Sequence, residues 1–540
     1  MSKVFSIDGN TISYGGFMLR ELGSGTLTIS KTVTGSGFDP AKTFELVVTF
    51  DKAVTYNGTT STTHTLNLAS GQSATITNIP EGTTYSVVES PLSQEDIDAG
   101  YSVGGITGAS GTITSDGSHV AAASNSFAGM AAGTIRFEFE NASYDPRNTN
   151  DVPYNDAWTP YSDRFLVLWR NAWTQVSASP NVWDYTQPPS DQVTPIVDLS
   201  KFLISSRQRG RIVRGNVSGF RDGFALADNP YLTSVGPLDC TGITSFEYDD
   251  YVAQPARRVG VFHGNSLMAS VRLLHTSSVA SLYKAFYNCS ALQSLTMDMS
   301  GVTTAGHAFA GSALTSANFD MPSIDSGDDE ALESAFEGCG ALKTLALRLG
   351  SGSYSLMKTF KNCVALESAA ISFADDNVHS VDLNNAFYQC YALTQVTAPK
   401  LRAGDMTAAF YKCTSLASAA NINMQFAASG TLTSAFYQCR SLEGLPDLSG
   451  RQTTNINSMC TDCAALKAIP SPLIAASSVV QYAGYAFSGC VNVESGALAL
   501  YSRLSGQASP PSNHQECFKD CGSNTVTGAA ELAQIPSDWK

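Results

Sequence analysis

The sequence predicts a multidomain chain: a β-sandwich, then a small neck domain, then an α/β repeat solenoid. Three observations carry this. Between Phe286 and Cys521 an apolar residue, Ala three later, Phe, Cys three after that and Leu three further recur about every 25 residues. Residues 23 to 145 are rich in Thr, Ser, Gly and β-branched types, with apolar residues in alternation. Between these regions the composition turns to Asp, Asn and Pro, followed by four of the five Trp within 26 residues. The expected boundaries are 1–22 for an attachment segment, 23–145 for the sandwich, 146–222 for the neck, 223–530 for the repeats and 531–540 for a tail.

The first 22 residues hold two short strand-like pieces around the turn sequence Asp8-Gly9-Asn10, either an attachment peg or an ordinary terminus. In the sandwich region Gly25 to Thr34, Thr43 to Phe50 and Thr134 to Glu140 read as strands. The neck carries Trp158, Trp169, Trp173 and Trp183. Clustered indoles either stack on sugar rings, a flat apolar face with an N–H handle, or form a small core. Lys201, Arg207, Arg209, Arg211, Arg214 and Arg221 make the one cationic cluster, a contact for an acidic partner or else a solvated or interdomain face.

In the repeats, Leu282, Ala285, Phe286 and Cys289 fall at i, i+3, i+4 and i+7, which predicts a short helix. Leu292-x-x-Leu295-x-Met297 then ends in the alternation of a strand. Neither element can bury its own apolar face, so each repeat must stack on the next. Each Phe handed across such an interface contributes roughly 1.5–3 kcal/mol.

Of twelve Cys, nine fall in one slot of the repeat, and variant repeats place Asn265 and Ser312 there. Thiol, amide and hydroxyl share small size and the capacity to hydrogen-bond, so the slot predicts a buried polar ladder rather than a disulfide framework. Cys460-x-x-Cys463 occupies the Phe and Cys slots, which argues against a metal half-site. Tyr287, Tyr388, Tyr411 and Tyr437 each follow the Phe slot, a row that either presents rings to a glycan or protein or packs between repeats.

The chemistry lies in the sandwich. By strand parity Lys31 points inward with Leu27, Ile29 and Val33, Glu89 with Tyr85 and Val87, and Asn141 with Ile135, Phe137 and Phe139. An unpaired buried charge is very costly. One solution is covalent: a desolvated Lys31 amine attacks the Asn141 amide carbon, a protonated Glu89 shuttles protons, and ammonia leaves. The other is a Lys31–Glu89 ion pair with Asn141 simply hydrogen-bonded.

The stretches LTISKTVTG (27–35), ITNIPEGTTYSVVES (76–90) and FEFENAS (137–143) resemble the Cna B-type (SpaA-like) domains of Gram-positive surface proteins. That resemblance implies an Ig-like sandwich with a Lys31–Asn141 isopeptide bond and Glu89 as its catalyst. This chain departs from the family where an insertion separates Glu89-Ser90-Pro91 from Gly100-Tyr101. The pattern AFxxCxxLxxLxL, at 285–297 with Met297 last and in full at 335–347, resembles the BspA-type leucine-rich repeats.

A net charge of −15 offers no basic face to nucleic acid. No apolar run approaches the roughly 18 residues of a membrane helix, and no export signal or anchor is read. The seven His are scattered, and GxSxG, HExxH and phosphate-loop motifs are absent, so the expectation is a non-enzyme without cofactor or metal. Both resemblances are typical of surface display. The expected role is therefore a phage fibre or decoration protein on the virion surface, binding a host cell-surface or mucus glycan or protein through its repeats. Residues 1–22 would meet other virion proteins, and a homo-oligomer is compatible with this. The alternatives are a bacterial cell-surface adhesin and a glycan-degrading enzyme acting in the Trp-rich section, where Asp151, Asp156 and Asp163 lie.

Overall fold

A computed structural model describes residues 6–8, 11–14, 17–20, 23–147, 171–186, 208–218, 226–250, 257–419, 422–423 and 430–540. The chain divides into two compact units, Met1–Ala131 and Ala132–Lys540.

The first unit opens with an antiparallel meander of β1 (Ser6–Asp8), β2 (Thr11–Tyr14) and β3 (Phe17–Arg20). The sandwich follows as β4 (Ser24–Thr34), β5 (Thr43–Tyr56), β6 (Thr59–Ala69), β7 (Ser73–Pro80), β8 (Thr84–Glu89), α1 (Gln94–Ala99), β9 (Tyr101–Thr107), β10 (Ser110–Thr112) and β11 (Ser118–Phe127). Its two sheets run β10-β8-β5-β6 and β7-β4-β11-β9. Along β4, Leu27, Ile29, Lys31 and Val33 are buried while the intervening Thr and Ser are not, the period-two pattern of a strand packed on one face. Ser93 caps α1 by accepting from the Asp96 N–H.

The last strand of the sandwich is β11, not the Thr134–Glu140 run. β11 lies parallel to β4, with Lys31 beside Ala123 and Val33 beside Asn125. β12 (Thr134–Phe139) belongs to the second unit and lies between β14 (Asn181–Thr186) and β15 (Gly210–Asn216), with β13 (Trp173–Ala178) outside β14. The same sheet continues from β15 into parallel strands β16 (Leu232–Asp239), β19 (Ser270–Leu274) and β20 (Ser294–Thr296), past a hairpin of β17 (Glu247–Asp250) and β18 (Arg257–Gly260). The described residues of the Trp-rich segment are therefore part of this sheet and not a separate neck. Trp173 and Trp183 pack with Phe137, Phe139 and Tyr185 in a hydrophobic cluster that runs on through the repeats to Trp539. Of the cationic cluster, Arg211 pairs with Glu138 and Arg209 with Glu140; Lys201, Arg207 and Arg221 lie outside the described residues.

Further parallel strands follow: β21 (Ser316–Met321), β22 (Thr344–Leu349), β23 (Tyr354–Ser355), β24 (Ser368–Phe373), β25 (His379–Asp382) and β26 (Gln395–Ala403). In β21, β22 and β24 the register advances without slip, Ala317 beside Leu345 beside Ala369.

The short helix expected in each repeat is absent from these residues. Leu282 to Cys289 makes consecutive turns instead, closed by Ala285 N–H to Leu282 C=O and Cys289 N–H to Phe286 C=O. Alternate amides point outward, so that Lys284, Phe286 and Asn288 N–H groups donate to Gly306, Ala308 and Ala310 of the next repeat. Lys284 and Asn288 take φ of 54° and 57°, left-handed values that recur in later repeats at Lys358 and Asn362 and at Ala408 and Lys412. Two four-residue turns place apolar side chains at the same spacing as two helical turns, which is why the sequence reads as helix. Each repeat thus bonds to its neighbour through the backbone on this side as well as through its strand.

Phe rings stack through the interior: Phe262 on Phe286 at 5.1 Å, Phe286 on Phe309 at 5.6 Å, Phe360 on Phe387 at 5.1 Å, with near-parallel planes. At the far end α2 (Ala497–Ser505) and α3 (Val526–Gln534) are true helices. The residues expected to be a tail close the stack. Trp539 is buried, stacks on His514 at 4.3 Å, and its carbonyl accepts the Phe518 N–H, the bond that an ordinary repeat makes to its successor.

Candidate functional site

β4, β8 and β11 bring three polar side chains together inside the first unit. Lys31 Nζ donates to both oxygens of Glu89, at 2.7 and 2.8 Å, with 0 % and 4 % of the two side chains exposed. Asn125, 1 % exposed, donates from Nδ2 to the same Glu89 Oε1 at 2.7 Å. The Lys31 ammonium also lies 4.4 Å from the centre of the Phe44 ring, and Phe44 meets Tyr101, which meets Phe127. Burial in this aromatic surround pulls the Lys31 pKa below the ordinary 10.5, against the opposing hydrogen bond and charge of Glu89.

Asn125, not Asn141, is the amide beside this pair. Asn141 follows β12 in the second unit, where its exposed side chain donates to Gln208 at 3.2 Å and accepts the Ser143 N–H. The two asparagines were hard to separate in sequence. Both continue an alternating strand, but the inward set of β11 is Ala121, Ala123 and Asn125, too small to advertise burial, whereas Ile135, Phe137 and Phe139 announce it.

The three groups suit acyl transfer. One carboxyl touches both the nucleophilic nitrogen of Lys31 and the amide nitrogen that would leave from Asn125. Burial moves Lys31 toward the neutral amine, the form in which its nitrogen is a nucleophile.

The other sequence candidates take different places. Trp173 and Trp183 are 3 % and 2 % exposed, so their ring faces are committed to the core. Trp158 and Trp169 lie outside the described residues. Tyr388, Tyr411 and Tyr437 stack at 4.6 Å with planes within 5°, half-buried, which occupies the facing ring surfaces and leaves edges outward. Tyr287 stands apart from that stack, between His263 and His307.

From Cys289 to Cys490 the cysteine slot forms a ladder of thiols donating to the Phe-slot carbonyl of the preceding repeat: Cys363 to Phe336 at 3.1 Å, Cys390 to Phe360 at 3.1 Å, Cys413 to Phe387 at 3.0 Å. Asn265 donates back to the Leu226 carbonyl and also to Phe262 of its own repeat, and Ser312 touches Cys339. In Cys460-x-x-Cys463, the Cys460 carbonyl accepts from Cys490 while Cys463 donates to Phe436. Burial pushes the thiols up, that of Cys289 to about 12, so they stay protonated donors; Cys339 is the exception, lowered by its hydrogen bond with Cys363.

Residues 25–126, which span Lys31, Glu89 and Asn125, match the family described as a domain of unknown function, DUF7601. Residues 261–382 and 383–521 match the BspA type leucine rich repeat region, in six copies. Among solved structures, a pilus-presented adhesin is 27 % identical over 19 % of this chain and 28 % of its own, with a TM-score of 0.15. The major pilin from Streptococcus pyogenes is 21 % identical over 22 % of this chain and 54 % of its own, with a TM-score of 0.16. The chain thus spans under a third of the adhesin and about half of the pilin. No curated protein matches. In domain composition the chain joins a β-sandwich to BspA-type repeats.

Proposed function

We propose that this is a surface-displayed adhesion protein, without enzymatic turnover, whose Cna B-like sandwich locks itself with a Lys31–Asn125 isopeptide bond and whose repeats form a ligand-contacting solenoid. The observation that carries the proposal is the buried Lys31–Glu89–Asn125 constellation, in which one carboxyl bridges nucleophile and leaving group. Lys31 gives a proton to Glu89 and its free amine attacks Asn125 Cγ. Glu89 passes that proton to Nδ2 and takes the second proton from Nζ, the Cγ–Nδ2 bond breaks, and ammonia departs, leaving a neutral amide between Nζ and Cγ beside a protonated Glu89. The lock joins the first and last strands of the sandwich, as suits a domain that carries load between an attachment and a contact surface.

Intact mass tests this directly. The full chain is expected to weigh one ammonia less than its sequence, and Lys31→Ala or Glu89→Gln to retain the full mass. An unmodified wild-type mass overturns the crosslink.

The finer form of this reading is a phage virion fibre or decoration protein that meets a host surface glycan or protein. It is supported by the thiol ladder, since twelve buried free cysteines suit folding in a reducing cytoplasm before display. A bacterial adhesin is the alternative. Capsid and tail genes beside this one support the first and a sortase gene the second, while binding of the full chain to a glycan array or to host cells tests the contact role.

A further inference from the structure

The pairing of β11 with β9 slips beside the site. Ser124 faces Gly105 and Asn125 faces Val103, so Gly104 is an extra residue with no partner across the ladder, a β-bulge. The bulge turns the Gly104 amide toward the site, where its N–H donates to Asn125 Oδ1 at 3.4 Å. The carboxamide is thereby held at both ends, Nδ2 on Glu89 and Oδ1 on Gly104.

We infer that the Gly104 backbone N–H is the oxyanion donor of the crosslinking reaction, a catalytic group that rests on the isopeptide reading above. When Nζ bonds to Cγ, the π pair of the amide carbonyl moves onto Oδ1. When the Cγ–Nδ2 bond breaks and ammonia leaves, that pair returns. Between these events Oδ1 carries the negative charge, and Gly104 is the backbone donor aimed at it. A contact that is long to the neutral amide and tightens on the charged oxygen stabilises the transition state more than the ground state. Glycine is required for the approach, because a Cβ at 104 would stand 2.6 Å from the Ser124 carbonyl oxygen and 2.8 Å from its Oγ.

The test uses full chain held in urea from synthesis onward and therefore uncrosslinked, then diluted to refold, with acid-quenched samples weighed over time. Gly104→Pro removes the N–H and Gly104→Ala displaces it. Each is expected to slow ammonia loss about 100-fold, the effect of removing one oxyanion donor, while circular dichroism reports a folded chain. Folded variants that react at the wild-type rate overturn the inference and leave the crosslink standing. Wild-type chain that never loses ammonia overturns both. A second measurement needs no variant: in crosslinked chain labelled with 15N-glycine and 13Cγ-asparagine, a through-hydrogen-bond coupling is expected between Gly104 N and Asn125 Cγ. Its absence likewise overturns the assignment.

Discussion

The sandwich and the repeats both bury polar groups, and they do so in opposite ways. The sandwich gathers an amine, a carboxyl and an amide at one point, where the electrostatic stakes are high enough to shift a lysine and where one carboxyl meets both the amine and the amide. The repeats spread weak donors along the array, thiols such as that of Cys390 satisfying one carbonyl and pushed up by burial toward inertness. Desolvation acts on both. It favours the neutral form in each case, and a neutral amine is a nucleophile whereas a neutral thiol is a spectator.

Lys31→Ala should separate the two regions most sharply. It removes the proposed crosslink, which would close a loop of roughly 100 residues and on a chain-entropy account be worth about 4–5 kcal/mol, and it strands Glu89 in the core. The sandwich transition should fall by roughly 20 °C or more in a calorimetric scan that resolves two transitions, with that of the repeats unmoved. A common shift of both would erase the comparison.

Alkaline pH should act with opposite sign on the two. The folded thiols other than Cys339 titrate above their ordinary value of 9.0, Cys289 at about 12. Their contribution is complete below pH 9 and is lost as pH rises from there toward the folded values, because only unfolded thiols release protons in that window. Each costs the array up to about 1.4 kcal/mol per pH unit. Lys31 is the reverse case in an uncrosslinked Asn125→Ala chain. Its folded pKa is lowered, so the unfolded chain holds the extra proton until the ordinary 10.5, and stability from this group rises with pH toward that value. Melting from about pH 8 to about pH 10 should lower the repeat transition and leave that of the variant sandwich level or higher.

Phe360→Ala tests whether the array behaves as a chain of nearest-neighbour interfaces. Phe360 stacks on Phe336 at 5.7 Å and on Phe387 at 5.1 Å, so truncation opens both contacts. A loss of about 3–5 kcal/mol is expected in urea unfolding, with protection from hydrogen exchange falling first in the repeats on either side. A sandwich transition that moves with it would contradict the division into two units.

What could be read in advance follows the same contrast. Lys31 and Glu89 stand among large aliphatics whose alternation marks the inward face, and the recurring Phe, Cys and Leu show which positions stack. The amide partner was harder, because β11 buries Ala121 and Ala123 and carries no hydrophobic signal. Gly104 was illegible: a bulge is a slip between two strands and belongs to neither sequence alone. The turns read as helix for a different reason. Leu282, Ala285, Phe286 and Cys289 have helical spacing, and the left-handed backbone at Lys284 and Asn288 sits on residues that do not signal it as glycine would. Inter-repeat amide bonds hold that conformation, and they exist only once a neighbour is stacked.

The smallest expected effect asks whether the thiol ladder needs sulfur or only a donor. Cys390 Sγ donates to the Phe360 carbonyl, which is buried between repeats. Cys390→Ala leaves that oxygen without its side-chain donor and should cost about 1–3 kcal/mol. Cys390→Ser restores a hydroxyl of nearly the same reach and should cost less than about 1 kcal/mol, since Ser312 and Asn265 already hold the slot with oxygen and nitrogen. Equal losses for the two variants in urea unfolding would mean that the sulfur volume matters and the hydrogen bond does not. A milder serine means that the slot selects a donor, so the array tolerates exchange among thiol, hydroxyl and amide. The Lys31–Glu89–Asn125 site cannot tolerate such exchange, because there the identity of each atom decides whether a bond forms.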